Sequence, residues 1–393
     1  MNTSMPTQSA LNEPANIADF LRDTRLLRTE AAWAGIDPPS CDLVVQAAGD
    51  LLRRPERLAD LTRCATTLFS PGDWQPEAWQ DVPRDGTPGE RFFLMLPLLQ
   101  HLPQARVFYA AHAIPESVLR DTLADFQIWI DTYVQRTGVP GFREVGWMRE
   151  HVCGRVIRLG RLQFQPSTFG NTYVVLARRR GGEIRVAACG GRSITATGVF
   201  ADSEGAVGPF IDLEYAEEGG EIRRAHLVRP DGTIAPRPTA FAPGEWERRL
   251  SAGDPVLNLH IPAGAPLDFD ACRDSFVRAA AFYPRHFPEN DAPRAVVCGS
   301  WLFNPGLCDI LPATSNIVRF QQAFMRVPLP GTTAGQTYER VFAPHGRAVR
   351  REQLTTTLQR RLFDHIAAGH VPVGAGGYFL APLDEWGVRK AFV

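Results

Sequence analysis

A histidine lies on a predicted strand at residues 256–261. Histidine suits proton transfer near neutral pH, because its reference pKa is about 6.5. The strand alternates, so Asn258 and His260 share one face and the aliphatic side chains share the other. On a second predicted strand, at residues 295–302, Cys298 and Ser300 share a face. These residue types can exchange protons with a bound ligand, provided that the fold brings the two strand ends together.

The elements between the two strands predict how they are held. The loop after the first strand contains Pro262 and Pro266, which lack an N–H group and cannot continue a β-ladder. Asp268 or Asp270 then caps a helix that we expect Pro284 to end. Two buried strands joined by such a helix form a parallel βαβ unit. Ligands in parallel sheets bind at the carboxyl ends of the strands, and His260 lies at that end.

The rest of the chain has two parts with different residue patterns, which together predict an α+β fold. Residues 17–151 have helical spacing of apolar residues, clearest at 90–99 and 117–133, and prolines punctuate this half. From Leu159 onward strands dominate. The other predicted elements are a hairpin of 172–177 and 183–188, a hairpin of 210–215 and 222–228, helices at 305–324 and 351–368, and strands at 325–329, 338–342 and 377–380.

Composition restricts the class of protein. Hydrophobic residues make up 44% of the 393 residues and the net charge is −1, which is typical of a globular protein and argues against a nucleic-acid partner. The seven cysteines are an odd number without CxxC spacing, so we expect reduced thiols and a cytoplasmic location. The N-terminus does not have the pattern of a signal peptide, and no apolar run reaches about 18 residues, so no membrane contact is expected. The first 15 residues are predicted to be disordered.

Longer motifs resemble a known family. They include Trp147-Met148-Arg149-Glu150-His151, the run Arg158-Leu159-Gly160-Arg161-Leu162-Gln163-Phe164, the run His260-Ile261-Pro262-Ala263-Gly264-Ala265-Pro266-Leu267, Ser300-Trp301-Leu302, and Leu311 to Gln321. Together they resemble a bacterial acyltransferase family. Its members join a helical N-terminal domain to a C-terminal domain similar to the GCN5-related N-acetyltransferases (GNAT). The resemblance implies a helical domain at 16–151 and a GNAT-like domain at 152–393.

The resemblance also implies a reaction and a site. In a GNAT-like domain two central parallel strands diverge, and an acyl thioester lies in the wedge between them. The chain is then expected to transfer an acyl group from acyl-CoA, or from a phosphopantetheine thioester on an acyl carrier protein, to an amine of a small molecule, without a metal. His260 is the expected general base and Ser300 a candidate acid. The expected cofactor-binding residues are Asn258, Ile261, Gly264, Ala265 and Arg273. The expected substrate-binding residues are Trp301, Ser315 and Asn316, of which the last two could meet the acceptor or the donor.

Several interpretations stay open at this stage. The loop departs from the usual GNAT diphosphate motif, because it has two prolines followed by two aspartates; Arg273 and Arg278 are candidates to compensate for them. Ser300 is also explained by a hydrogen bond to backbone at a strand end. Cys298 could be an acylated nucleophile with His260 as its base, or a buried structural cysteine. Arg155, Arg158 and Arg161 recur every three residues, which is typical of a solvated face. The alternative function is a module that binds an acyl thioester or a metabolite without turnover.

Overall fold

The computed structural model describes residues 16–70 and 86–390. The predicted disorder of residues 1–15 therefore lies outside the described residues. The chain divides into two compact units, residues 1–158 and 159–393. The first unit is helical, and the second is built on two mixed or antiparallel sheets with helices, as the predicted α+β class requires.

The helices of the first unit have short, separate spans. They are α1 Ile17–Arg22, α2 Thr24–Trp33, α3 Pro38–Leu52, α4 Pro55–Leu68, α5 Pro88–Arg91, α6 Met95–Gln100, α7 Leu102–Ala111, α8 Glu116–Leu123, α9 Asp125–Thr137 and α10 Val145–Val152. The prediction of single helices at 90–99 and 117–133 was wrong, because α5 and α6 are separate and Ala124 divides α8 from α9. Both helices around Ala124 bury their apolar stripe, so the stripe alone conceals the break.

The second unit contains most of the strands. They are β1 Ile157–Leu159, β2 Leu162–Thr168, β3 Tyr173–Arg178, β4 Ile184–Ala188, β5 Ser193–Thr195, β6 Phe210–Asp212, β7 Tyr215–Glu218, β8 Glu221–Leu227, β9 Thr239–Ala240, β10 Trp246–Leu250, β11 Pro255–His260, β12 Ala295–Ser300, β13 Met325–Pro328 and β14 Ala375–Leu380. The helices are α11 Phe269–His286, α12 Leu307–Ile310, α13 Asn316–Gln322, α14 Gly335–Val341 and α15 Thr357–Ala367.

The first sheet has the order β1-β2-β11-β12-β14-β13, and the second has the order β10-β3-β4-β8-β7. The predicted βαβ unit is confirmed: β11 and β12 are parallel neighbours joined by α11, whose N-cap Asp268 accepts a hydrogen bond from the Ala271 N–H. The predicted stop at Pro284 was wrong, because α11 continues to His286. A proline so close to a helix end leaves few later hydrogen bonds to disturb.

Two layers cover the first sheet. On one face, the aromatic ring of Phe276 on α11 packs against Phe164 of β2 and Phe379 of β14. On the other face, Val256 and Tyr378 join a buried cluster with residues of the second sheet. The core therefore covers the amino-terminal end of β11 on this second face, whereas Asn258 and His260, farther along the same face, are only half-buried.

Other sequence predictions fail where pairing or packing is not local. Residues 210–212 pair with β5, so the predicted hairpin is shortened to β7 and β8. The predicted strand at 338–342 is the helix α14, in which Thr337 and Val341, four residues apart, are buried. The predicted helix at 305–324 is split into α12 and α13 by a segment that contains Pro312. The strands predicted at 325–329 and 377–380 are confirmed as β13 and β14.

Candidate active site

The two central strands separate at their carboxyl ends. Parallel pairing between β11 and β12 runs from Val256–Ala295 to Asn258–Val297 and then stops, although the strands continue to His260 and Ser300. On their outer sides the strands remain paired to their ends, β11 with β2 and β12 with β14. The gap is therefore confined to the space between β11 and β12, where backbone groups of both strands can contact a ligand.

His260 lies beside this gap. Its Nε2 is 3.0 Å from Oε1 of Gln165 on the neighbouring strand β2. Register places Gln163, Gln165, Asn258 and His260 on one face, so the sheet has a polar patch at this end. When the Gln165 oxygen accepts from Nε2–H, Nδ1 of His260 holds the lone pair and is the nitrogen able to accept a proton.

A cavity of about 210 Å³ opens on the same face as His260. Register places Val297 and Gly299 on the face of Asn258, and both line the cavity together with Leu329. The complete lining is Thr168, Phe169, Gly170, Thr172, Val297, Cys298, Gly299, Leu329 and Tyr378. No charged side chain belongs to it. A cavity of this size and lining favours an apolar group, since an apolar cavity of about 150 Å³ is sufficient for benzene.

The structure separates Ser300 from His260. Ser300 and Cys298 lie on the face of β12 opposite Val297, which is the face that α11 covers. The Ser300 hydroxyl accepts a hydrogen bond from the Leu302 N–H at 3.2 Å and caps a short 3₁₀ helix. Burial raises the pKa of the Cys298 thiol to about 12, so this thiol is neutral near pH 7. Both residues therefore have the structural roles that the sequence left open.

The three expected substrate-binding residues also lie away from the polar face. The Trp301 ring packs beside a buried cluster that includes Leu307, Phe342 and Leu362. Ser315 is the residue before α13, and its side chain makes no capping hydrogen bond. Asn316 is the first residue of that helix, and the Trp386 ring lies between α13 and α11, tilted against Phe320 and stacked on Phe276. The structure therefore does not bring these three side chains to His260.

The loop between β11 and α11 contains a residue that the sequence analysis misread. Arg161 is 9% exposed and donates hydrogen bonds to three loop carbonyls, so the prediction of a solvated arginine face was wrong for it. Its position immediately before a strand with buried residues was the available signal. Gly264, with φ of +87°, and Ala265 are exposed in the same loop. Arg273 is exposed on α11, and Arg278 forms an ion pair with Asp274.

Residues 16–70 and 86–390 contain no group of three or more histidine, cysteine, aspartate or glutamate side chains arranged to hold a metal ion. Over the same ranges, no helix combines the length and the apolar character that crossing a bilayer requires.

Comparison with known families decides the class. Residues 156–379 match the family described as GNAT-like C-terminal domain, and residues 27–154 match the N-acyltransferase N-terminal domain. The chain belongs to this N-acyltransferase family. The predicted family, fold class and enzyme class are thereby confirmed. None of the curated proteins matches the sequence of this N-acyltransferase.

Solved structures of acyltransferases have the same fold. A variant with tryptophan replaced by alanine, in complex with octanoyl-CoA, aligns with a TM-score of 0.61 and 21% identity. An acyltransferase in complex with decanoyl-CoA and teicoplanin aligns with a TM-score of 0.59 and 22% identity, and another with decanoyl-CoA aligns at 0.58 and 23%. Each alignment covers 91% of this N-acyltransferase and 88% of the other chain.

Proposed function

We propose that this N-acyltransferase transfers an acyl group from acyl-CoA to an amine of a small molecule, with His260 as the general base. The observation that carries the proposal is the gap between β11 and β12 beyond Asn258 and Val297, with a histidine beside it. Such a gap exposes backbone N–H and C=O groups of both strands to a pantetheine arm. The complexes of the similar structures with octanoyl-CoA and decanoyl-CoA support coenzyme A as the carrier, rather than a carrier protein.

The direction in which the donor binds follows from the two faces of the first sheet, because α11 covers one face and His260 lies on the other. The diphosphate binds at the exposed loop of residues 263–266 and at the N-terminus of α11, where unpaired N–H groups and the helix dipole favour negative charge. The arm then passes through the gap, so the thioester emerges on the opposite face, where His260 lies. The acyl tail occupies the apolar cavity beside Gly299 and Leu329.

The reaction needs one base and no covalent enzyme intermediate. The amine nitrogen attacks the thioester carbonyl carbon, the C–N bond forms, and the C–S bond breaks to give an amide and the thiolate of CoA. Nδ1 of His260 accepts the proton that the amine nitrogen loses, directly or through a water molecule. The thiolate takes its proton from solvent, because a thiol with a pKa of about 8.5 is a tolerable leaving group without a dedicated acid. Ser300 has no part in this mechanism.

The experiment measures thiol release from acyl-CoA donors with two to twelve carbons, in the wild-type protein and in His260→Ala. His345→Ala is the matched control, because His345 is exposed and its Nδ1 contacts only the Gln353 amide among the described residues. Teicoplanin and simple amines serve as acceptors. We expect turnover in the wild type and the control, and a loss of about 10²-fold or more in His260→Ala, as is usual for removal of a general base.

Two outcomes would contradict the proposal in different ways. Unchanged turnover in His260→Ala would remove the base assignment but leave the enzyme. Binding of acyl-CoA without any thiol release, with all acceptors, would instead favour the alternative function as a thioester-binding module.

The seven free cysteines support a reducing, cytoplasmic setting for either function.

A further inference from the structure

One buried side chain, that of Arg161, holds the loop of residues 262–267 from its interior side. Arg161 donates from Nε to the Pro266 carbonyl at 2.8 Å, from Nη1 to the Pro262 carbonyl at 2.9 Å, and from Nη2 to the Ala265 carbonyl at 2.8 Å. The guanidinium is buried, so these bonds are protected from water. Three of the loop's carbonyls are thereby fixed toward the interior of the unit.

The direction of these carbonyls determines the direction of the N–H groups. The peptide bonds that follow Pro262 and Pro266 are trans, and in a trans peptide the C=O and N–H point in opposite directions. The N–H groups of Ala263 and Leu267 are therefore directed away from Arg161. In the described part of the chain, neither group donates a hydrogen bond to the protein. Residues 263–266 are exposed and Leu267 is half-buried, so the Ala263 N–H lies in a segment that a ligand can reach.

Arg161 is itself tied to the helix that follows the loop. The Ser275 hydroxyl on α11 accepts hydrogen bonds from the Arg161 N–H at 2.9 Å and the Leu162 N–H at 3.3 Å. Gly160 precedes Arg161 with φ of +75°, and a Cβ atom there would lie 3.1 Å from the Ser275 hydroxyl oxygen. The turn, the loop and the first turns of α11 are thus one connected unit.

The charge of Arg161 is also relevant to the two acidic residues after the loop. The Asp268 carboxylate is engaged as the N-cap and neutralises part of the positive end of the α11 dipole. Asp270 follows in the first turn. A guanidinium behind the loop restores positive potential at the place where these carboxylates reduce it. The buried Arg161 thereby compensates for the missing GNAT-type diphosphate motif. The sequence had instead suggested Arg273 and Arg278 for this role.

We propose that Arg161 is a positioning residue for the donor, which holds residues 262–267 in the conformation whose N–H groups bind the CoA diphosphate. The proposal rests on the proposed function, because it assumes acyl-CoA as the donor. Lysine cannot replace this arginine, because an ammonium group on a flexible stem cannot reach three carbonyls in one plane as the planar guanidinium does.

The test compares two donors with the same acyl group, acyl-CoA and S-acyl-pantetheine, which lacks the diphosphate and the nucleotide. Wild type, Arg161→Lys and Arg285→Lys are assayed with both donors. Arg285 is the control because it is exposed in the last turn of α11, at the end of the helix opposite to the loop. Thermal unfolding verifies that each variant is folded.

We expect the KM for acyl-CoA to rise at least tenfold in Arg161→Lys while kcat changes less than about twofold, and the KM for S-acyl-pantetheine to stay the same. Arg285→Lys should match the wild type. An equal loss with both donors would mean that Arg161 only stabilises the fold, and an unchanged KM for acyl-CoA would mean that the loop does not depend on it. Either result overturns the proposal.

Failure of the proposed function is recognised separately. If the wild type consumes neither donor, titration calorimetry with CoA and with pantetheine takes the place of the kinetic assay. Tighter binding of CoA than of pantetheine in the wild type, lost in Arg161→Lys, would support the positioning role without turnover. No preference for CoA in the wild type would overturn it.

Discussion

Nε2 of His260 and Oε1 of Gln165 are 3.0 Å apart on adjacent antiparallel strands, diagonal to each other on one face of the sheet. This contact restrains the imidazole, and in the tautomer with the proton on Nε2 the Gln165 oxygen accepts the hydrogen bond, which leaves Nδ1 as the basic nitrogen. Gln165 thus orients this histidine by a hydrogen bond to one ring nitrogen, as a carboxylate or a backbone carbonyl does for the histidines of many hydrolases. The role of the strand β2 at this site was not visible in the sequence, because nothing local relates residue 165 to residue 260.

Replacement of Gln165 by leucine should lower kcat by about tenfold at neutral pH and leave the KM for acyl-CoA nearly unchanged, because only the orientation of the base is lost. Steady-state kinetics over pH 5.5–9 measures this effect. Gln322→Leu is the control, since Gln322 is exposed on α13. Equal kcat values for Gln165→Leu and wild type would show that the contact has no catalytic consequence.

The cavity beside Gly299 should set the acyl chain length. A Cβ atom on Gly299 would lie 3.1 Å from Cδ1 of Leu329, so Gly299→Ala pushes this side chain and reduces the cavity, whereas Leu329→Ala enlarges it. The first variant should shift the optimum donor to shorter chains and the second to longer ones. The measurement is kcat/KM across the acyl-CoA series. Gly49→Ala in α3 of the helical unit serves as a control, because a Cβ atom there would meet only the Arg53 side chain, at ordinary contact distance.

The same optimum in all variants would assign the cavity to something other than the tail. A loss of turnover with every chain length in Gly299→Ala, together with unchanged donor binding, would assign it to the acceptor.

Cys298 should be dispensable for catalysis. Since burial raises its pKa to about 12, the thiolate that an acyl-enzyme mechanism requires is scarce at pH 7. Cys298→Ala should therefore retain kcat, at a cost of about 1 kcal/mol in the free energy of unfolding. Initial-rate patterns with two varied substrates should intersect. Parallel lines, or an acyl adduct on Cys298 detected by intact-protein mass spectrometry, would contradict direct transfer.

Because of the buried residue His101, the stability of the helical unit should decrease at acid pH. Its ring stacks on Phe69 with centroids 3.7 Å apart, and burial, with the nearby Arg149 charge, lowers its pKa to about 4. Between pH 6.5 and 4 the unfolded chain binds a proton that the folded chain does not. Stability from this residue is therefore complete above pH 6.5 and is lost as the pH falls, by about 3 kcal/mol at most.

Urea unfolding at pH 7.5 and pH 4.5 measures this effect in the wild type and in His101→Phe, which keeps the ring stack. The difference in free energy of unfolding between the two pH values should be smaller in the variant. Equal differences would mean that other groups account for the acid sensitivity.

Features that depend on short-range patterns could be predicted from the sequence. Alternation over residues 256–261, the apolar stripe of α11 and the Asp268 cap were sufficient to predict a parallel βαβ unit. Alternation also placed Asn258 and His260 on one face, because side chains along a strand point to opposite sides in turn. Longer motifs indicated the family, and the family resemblance implied a gap between two strands.

Which residues of different elements share that gap depends on long-range strand pairing and could not be predicted from local patterns. The register between β11 and β12 places Ser300 on the face opposite His260, and a shift of one residue would have reversed this result. Burial of Arg161 depends on the carbonyls of a loop more than a hundred residues away. The helix α14 was missed for the same reason, since packing against distant residues overrides the local preference of its aromatic and β-branched side chains.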